Sequence, residues 1–231
     1  MLRKLLFPAR CCGCGIIVKE EGSVCQRCRK QLRFIREPIC IRCGKTVAEQ
    51  GQTFCYDCGK REHYFVQNRG LFEYSDLMKK MIYALKYQHN RDAGIFLGKE
   101  LAGGYGGYLR ALKLDGIVPV PLAEKRLRER GYNQAAVIAE EIGRQCGIPV
   151  YPNYLQRSRS TRPQKELNDI GRKNNVKNAF HIRKNEVQLN QILLVDDIYT
   201  TGATLDEAAR CLRMAGAEAV YGLTACIGRG F

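Results

Sequence analysis

Nine of the 12 cysteines of this 231-residue chain fall between positions 11 and 58. Eight of them form four pairs with two residues between partners: Cys11/Cys14, Cys25/Cys28, Cys40/Cys43 and Cys55/Cys58. The array is an internal repeat, because Cys11 and Cys40 are 29 positions apart and Cys25 and Cys55 are 30 apart. Two cysteines at this spacing share one tight turn and aim both thiolates at a single ion, and two such knuckles complete a tetrahedral Zn²⁺ site. Gly15 and Gly44 follow the first and third pairs, where a knuckle ends in left-handed backbone. The expectation is two stacked zinc ribbons, with a short hairpin between the knuckles of each. Cys11, Cys14, Cys25 and Cys28 would hold one structural Zn²⁺, and Cys40, Cys43, Cys55 and Cys58 a second. Spacing alone leaves interleaved pairing open, as well as a single metal site or disulfides, although a reducing compartment disfavours the last. Cys12 is a surplus thiol; Cys11 is preferred because it keeps the two-residue gap. About 60 residues bury little core alone, so metal supplies most of the stability of such a segment.

Only Cys146, Cys211 and Cys226 lie beyond the array. This composition break divides the chain into a small zinc-ribbon domain, 1–65, and a larger domain, 66–231. Hydrophobic residues make up 45% and charged residues 26%, a globular mix that excludes a disordered, collagen-like or coiled-coil chain. No apolar run is long enough to cross a bilayer, so no membrane insertion is expected. The basic start, Met1 to Pro8, has too short an apolar stretch for a signal peptide, which points to a cytoplasmic location. The net charge of +15 favours polyanionic partners such as nucleic acid or phosphorylated metabolites. Part of that charge sits beside the cysteines, at Arg10, Arg27, Arg29, Lys30, Arg42, Lys45 and Lys60. There it offsets thiolates, so it counts little toward nucleic-acid binding.

In the larger domain, Leu77, Met81, Ile82 and Leu85 recur at helical spacing behind Ser75, an N-cap residue type, and predict a helix over 75–87. A second helix over 92–112 is expected to break at Gly103-Gly104-Tyr105-Gly106-Gly107. From Gly116 the grammar changes to strand, turn, helix. Ile117-Val118-Pro119-Val120 is apolar, a basic stretch follows, and Ala135, Ile138, Ala139 and Ile142 mark a helix stopping near Gly147. Ile192-Leu193-Leu194-Val195 reads as a parallel strand buried on both faces. Leu205, Ala208, Ala209, Leu212 and Ala215 form a helical stripe ending at Gly216, and the next strand runs over 219–224. The pattern predicts an α/β fold, an open parallel sheet with helices on both faces, preceded by the zinc-ribbon domain. Ligands of such sheets bind at the carboxyl ends of the strands.

At that end of the Ile192–Val195 strand stands Asp196-Asp197-Ile198-Tyr199-Thr200-Thr201-Gly202-Ala203-Thr204, then a helix. Two adjacent carboxylates leave the strand at its exposed end, suited to sugar hydroxyls or to Mg²⁺ through water. The Thr- and Gly-rich turn offers backbone N–H groups and hydroxyls to a phosphate, and the helix dipole favours the anion. It is not a Walker A loop, which needs Gly-Lys-Ser/Thr.

This run resembles the ribose-phosphate motif of type I phosphoribosyltransferases, which bind 5-phosphoribosyl-1-pyrophosphate (PRPP). The zinc-ribbon cysteines extend the likeness, with Lys86-Tyr87, Val118-Pro119-Val120-Pro121-Leu122, Arg130-Gly131-Tyr132-Asn133-Gln134, Thr161, Gln164, Arg172, Asn175 and Phe180. Nearly the whole chain is similar to the ComF family, linked to natural competence and DNA uptake in bacteria. After Leu122 the family often has His-Pro, whereas this chain has Ala123-Glu124. The resemblance implies that Asp196 and Asp197 are the catalytic carboxylates on the ribose hydroxyls, and that Thr200, Thr201, Gly202, Ala203 and Thr204 hold the 5-phosphate. Pro121, Leu122, Lys125 and Arg126 would face the pyrophosphate, with Mg²⁺ on it. Residues 155–184 carry nine basic and two acidic side chains, among them Arg157, Arg159, Arg162, Lys165 and Arg172. They resemble the mobile loop that closes over PRPP, and Arg130 joins them as a phosphate or DNA contact.

Two functions follow. The first is a PRPP-binding ComF protein that acts in DNA uptake or processing during natural transformation. It would bind single-stranded DNA and work with a competence helicase or recombination mediator. The second is a PRPP-dependent phosphoribosyltransferase delivering phosphoribose to an unidentified nitrogen nucleophile. The zinc ribbons, the charge and the lack of a clear base-selecting segment favour the first. Single-strand binding is expected on the 155–184 loop, with Tyr151, Tyr154 and Phe180 stacking on bases.

Overall fold

The structure is a computed structural model that describes residues 8–157, 179–183 and 187–228. Along the first half of the chain run α1 (Gln26–Arg29), α2 (Tyr56–Gly59), β1 (Gln67–Glu73), α3 (Asp76–Tyr87), α4 (Arg91–Ala111), β2 (Gly116–Pro119), α5 (Glu124–Arg130) and α6 (Gln134–Cys146). Then come β3 (Leu155–Arg157), β4 (Phe180–Ile182), β5 (Gln191–Tyr199), α7 (Ala203–Met214) and β6 (Ala219–Ile227). The main sheet has the order β1-β6-β5-β2, and every neighbouring pair is parallel. β3 and β4 form a small antiparallel pair beside it.

Consecutive residues of β5 feed two cores, as the period of a strand requires. Leu193 and Val195 join Met78, Leu97, Ile138 and Ile142 of α3, α4 and α6. Ile192 and Leu194 join Leu205, Ala208 and Leu212 of α7 on the other face. The expected parallel sheet with helices on both faces is the observed one.

The two ribbons do not stack on one another around a core of their own. Cys11, Cys12, Cys28 and Leu32 belong to the α3/α4 core, while Cys40, Cys43, Val47 and Cys58 belong to the α7 core. The linker between them crosses the sheet edge: Phe34 bridges Phe72 antiparallel, with hydrogen bonds Ile35 N to Leu71 O and Glu73 N to Arg33 O. It covers the edge of β1, which would otherwise invite pairing with another chain.

Three further readings are corrected. α4 runs unbroken through Gly103–Gly107, because its buried stripe of Phe96, Leu97, Leu101 and Leu109 outweighs roughly 1 kcal/mol of helix penalty per glycine. Gly98 is also needed there, since a Cβ would come within 2.6 Å of Glu141 Cβ on α6. β5 continues through Asp196 and Asp197 to Tyr199, pairing Asp196 with Thr224 and Ile198 with Cys226, so the carboxylates lie inside the strand and not beyond it. Tyr154 and Phe180 are core residues at 7% and 6% exposure, unable to stack on bases. No helix among the described residues is long and apolar enough to cross a membrane.

Candidate zinc centres and phosphate-binding cleft

The eight paired cysteines close two separate sets in sequence order, which excludes interleaving. Cys11, Cys14, Cys25 and Cys28 form one set and Cys40, Cys43, Cys55 and Cys58 the other, with all Sγ atoms of a set within 4.8 Å of one another. Cys14–Cys25 Sγ atoms are 3.7 Å apart and Cys43–Cys55 3.6 Å. A Zn–S bond near 2.3 Å gives a tetrahedral edge of about 3.8 Å, so four thiolates fit Zn²⁺ at both places. The local architecture is the same twice. The first pair sits in a knuckle closed by Gly15 N to Cys11 O, or Gly44 N to Cys40 O, with the glycines at φ 78° and 76° as expected. The second pair lies on a helical turn, with Cys25 and Cys55 as N-caps of α1 and α2. The bridges Arg10–Ile17 and Ile39–Thr46 flank the knuckle, so no hairpin lies between the knuckles. Cys12 stands outside the sets: it is buried, and burial with the nearby Asp92 carboxylate pushes its thiol up to about 12. Metal analysis of chelator-free protein is expected to give about two Zn per chain, unchanged in Cys12→Ser and reduced to about one in Cys14→Ser. A wild-type value near one would contradict the double site.

A cleft of about 620 Å³ opens at the carboxyl ends of β2 and β5. Its walls include Pro121, Leu122, Arg126, Arg130, Arg157, Asp196, Asp197, Thr200, Gly202, Ala203 and Thr204, which the sequence placed together, and also Lys86, Gln134, Tyr83 and Tyr87. Lys125 is solvent-exposed and not among them, since it lies one position before Arg126 on α5 and is rotated away. Thr201 is not among them either: its carbonyl accepts from Arg61 and its Oγ1 from Ala203 N. Arg159, Arg162, Lys165 and Arg172, with Thr161, Gln164 and Asn175, lie outside the described residues.

The two carboxylates are not equivalent. Asp197 is buried at 3% exposure. Its Oδ1 accepts from Gln134 Nε2 at 3.0 Å and its Oδ2 pairs with Lys86 Nζ. Arg130, also buried, donates to Gln134 Oε1 and lies 5.4 Å from the Tyr87 ring centroid, so it is a buttress at the cleft wall and not a solvent-facing DNA contact. Burial pushes the Asp197 carboxyl up, but the Lys86 ammonium and the bonds from Lys86 and Gln134 carry it below the usual range. Asp196 keeps part of its surface in the cleft, and its Oδ1 accepts from the Asp197 N–H at 2.8 Å. Burial and then the Asp197 charge hold it well above the usual carboxylate range. Burial, with Arg126 nearby, lowers Arg157 to about 10.

Beyond the strand, Gly202 takes φ 79° at the N-cap of α7, and a Cβ there would collide with the Tyr199 hydroxyl. Gly202 itself has no side chain to cap this helix, and Thr201 Oγ1 accepts from the first helical N–H, that of Ala203, at 3.5 Å. The second ribbon holds the turn from behind. Arg61 bonds Thr201 O, Tyr64 N donates to Asp206 Oδ1 at 2.8 Å, and Phe65 meets Tyr199 edge-on at 6.3 Å. His63 lies 3.5 Å from Cys58 Sγ through Nε2 and 3.3 Å from Asp206 Oδ1 through Nδ1. Of the residues without an assigned role, Lys86 and Gln134 lay in the motif segments already noted, whereas Arg61 and His63 carried no sequence signal.

A parallel sheet with a carboxylate pair and a Thr- and Gly-bearing turn at one strand end, joined to tandem Cys₄ sites, is a phosphoribosyltransferase-like α/β architecture with an N-terminal zinc-ribbon segment. Residues 2–59 match the double zinc ribbon domain family. The chain is 30% identical to Competence protein ComFC of Bacillus subtilis over 88% of this chain and 83% of that protein. It is 41% identical to Competence protein F of Haemophilus influenzae over 47% of this chain and 49% of that protein, about half its length. Identity to the DNA utilization protein YhgH of Escherichia coli is 32% over 64% of this chain and 66% of that protein. The chain belongs to the ComF family.

Proposed function

We propose that the cleft binds PRPP and that the protein serves the uptake or processing of single-stranded DNA in transformation; the relatives' names, competence protein and DNA utilization protein, support the DNA part of this reading. The observation that carries the PRPP reading is the 196–204 segment. A carboxylate in the cleft is followed by a helix N-terminus at Gly202, where a Cβ would collide with Tyr199 and φ is 79°. In this reading Asp196 accepts hydrogen bonds from ribose hydroxyls, and Thr200, Gly202, Ala203 and Thr204 surround the 5-phosphate. Arg126 and Arg157 face the pyrophosphate, with Mg²⁺ as its counterion. The Asp196 carboxylate, half-buried at the cleft wall, suits Mg²⁺ or its water shell, whereas Asp197 is committed to Lys86 and Gln134. Division of the chain at residues 65/66 and a partner among competence helicases or recombination mediators belong to the same proposal.

Calorimetric titration with PRPP and Mg²⁺ tests it. A hydrogen bond to a charged group is worth roughly 1.5–3 kcal/mol, so Asp196→Asn is expected to weaken PRPP about ten- to a hundredfold. The same change should leave the melting temperature at neutral pH unchanged or higher. The carboxyl is held above its usual range, so charging it as pH rises costs folding stability, and Asn removes that cost. Unchanged PRPP affinity would refute the site.

A further inference from the structure

Tyr154 and Phe180 are buried and Tyr151 is half-buried, whereas another helix carries a more exposed aromatic pair. α3 buries Leu77, Met78, Met81, Ile82 and Leu85, and turns Lys79, Lys80, Tyr83 and Tyr87 outward. Tyr83 and Tyr87 are 52% and 57% exposed, one turn apart, with ring centroids 5.0 Å from each other. Exposed singly, tyrosines need no explanation; paired on a lysine-bearing helix face, they form a platform. Its position adds to the argument. On one side lies the cleft with Asp196 and the phosphate turn, and on the other a groove of about 830 Å³ against the first ribbon. Lys79 and Tyr83 wall both hollows, and Lys80 and Arg10 line the groove. An aromatic ridge therefore joins two hollows, with Arg126 at one end and Arg10 and Lys80 at the other. The acidic residues along the way are Glu129, Asp196 and Asp197 in the cleft, Asp197 being paired with Lys86, and Asp76 in the groove.

We infer that the outer face of α3 is the track for single-stranded nucleic acid, with bases stacked on Tyr83 and Tyr87 and backbone phosphates on Lys79, Lys80 and Arg10. The inference rests on the single-strand part of the proposed function and relocates it from the 155–184 loop to α3. Lysine-flanked aromatics in a groove suit a strand that presents a π-face and an anionic backbone at every step. A protein partner fits less well, because lysine is depleted in the cores of protein interfaces.

The test uses the full-length zinc-loaded protein and a fluorescein-labelled oligothymidylate, read by anisotropy over a range of salt. Tyr83→Ala/Tyr87→Ala should bind about ten times or more weaker with the wild-type salt slope, because stacking is lost and no phosphate contact is. Tyr83→Phe/Tyr87→Phe should restore most of the affinity, since phenylalanine stacks. Lys79→Gln/Lys80→Gln should flatten the log–log salt slope by about 1.4, or 0.7 per phosphate contact. All these side chains are exposed, so zinc content should stay at the wild-type value, and the phenylalanine pair, which keeps the ring beside Arg130, should keep the melting temperature as well. If the wild type binds the strand and the alanine and glutamine pairs bind it equally well, α3 is not the track and single-strand binding stands elsewhere. If the wild type fails to bind even at low salt, the single-strand reading falls and this inference with it.

Discussion

Lys86→Met is expected to lower folding stability by about 3 kcal/mol, the lower end of the cost of stranding one member of a buried ion pair. The lower end applies because Lys86 keeps 22% of its side chain exposed, while Asp197 keeps 4%. For a chain of this size the melting temperature should fall by roughly 6–12 °C. The mechanism predicts its own rescue. Lys86→Met/Asp197→Asn removes the stranded charge and keeps an oxygen for Gln134 Nε2, so most of the loss should return. It also sets the pH dependence. The Asp197 carboxyl is held below its ordinary 3.8, so its paired form contributes stability above about pH 4 and loses it as pH falls through the depressed value. In the variant the carboxyl has no cation and takes up its proton at higher pH. The gap between wild type and Lys86→Met should therefore narrow toward acid. Chemical denaturation at neutral and acidic pH checks both points, and an equal loss in the double variant would mean that Lys86 acts through packing alone.

That pair also marks where the sequence stops being legible. The zinc sites could be read because ligand geometry forces two-residue spacing onto the chain, and the sequential sets obey it. The 192–204 run could be read because an unbroken apolar tetrad announces a buried parallel strand, and the Gly and Thr after it announce a turn into a helix. The role of Asp197 could not. Whether a carboxylate in such a strand faces solvent depends on where β5 ends, and pairing with β6 carries it three residues past Asp196 to Tyr199. Its cation arrives on α3, where Lys86 looks like any solvated lysine of an amphipathic helix until the rotation of that helix against the sheet is known. β1 was hidden for a related reason: its buried positions are Asn68, Gly70 and Phe72, an alternation with one apolar side chain. Asn68 is tolerated inside because its Nδ2 donates to Cys43 O at 3.0 Å, a partner supplied by the second ribbon.

Loss of the second zinc site is expected to do more than unfold a ribbon. Cys40→Ser should cost one zinc and weaken the proposed PRPP binding, whereas Cys14→Ser should cost one zinc and leave that affinity close to wild type. The contrast follows from the two faces of the sheet. The first ribbon packs with α3 and α4, away from the turn. The second shares the α7 core and reaches the Thr200–Gly202 turn through Arg61 on Thr201 O and Tyr64 N on Asp206. Structural Zn²⁺ in such small units supplies roughly 10–16 kcal/mol of binding free energy that is also folding free energy. Without it, residues 61–64 have no fixed anchor, and the turn must be ordered at the expense of ligand affinity. Amide exchange over residues 200–206 gives a readout independent of PRPP, and it should quicken in Cys40→Ser only. Asp206→Ala separates the tether from the metal: both zincs should remain while exchange in the first turn of α7 rises, because Tyr64 N and His63 lose their partner and the ribbon itself does not. If Cys40→Ser and Cys14→Ser change exchange at the turn equally, the second ribbon has no special hold on it, and His63 and Arg61 are packing residues only.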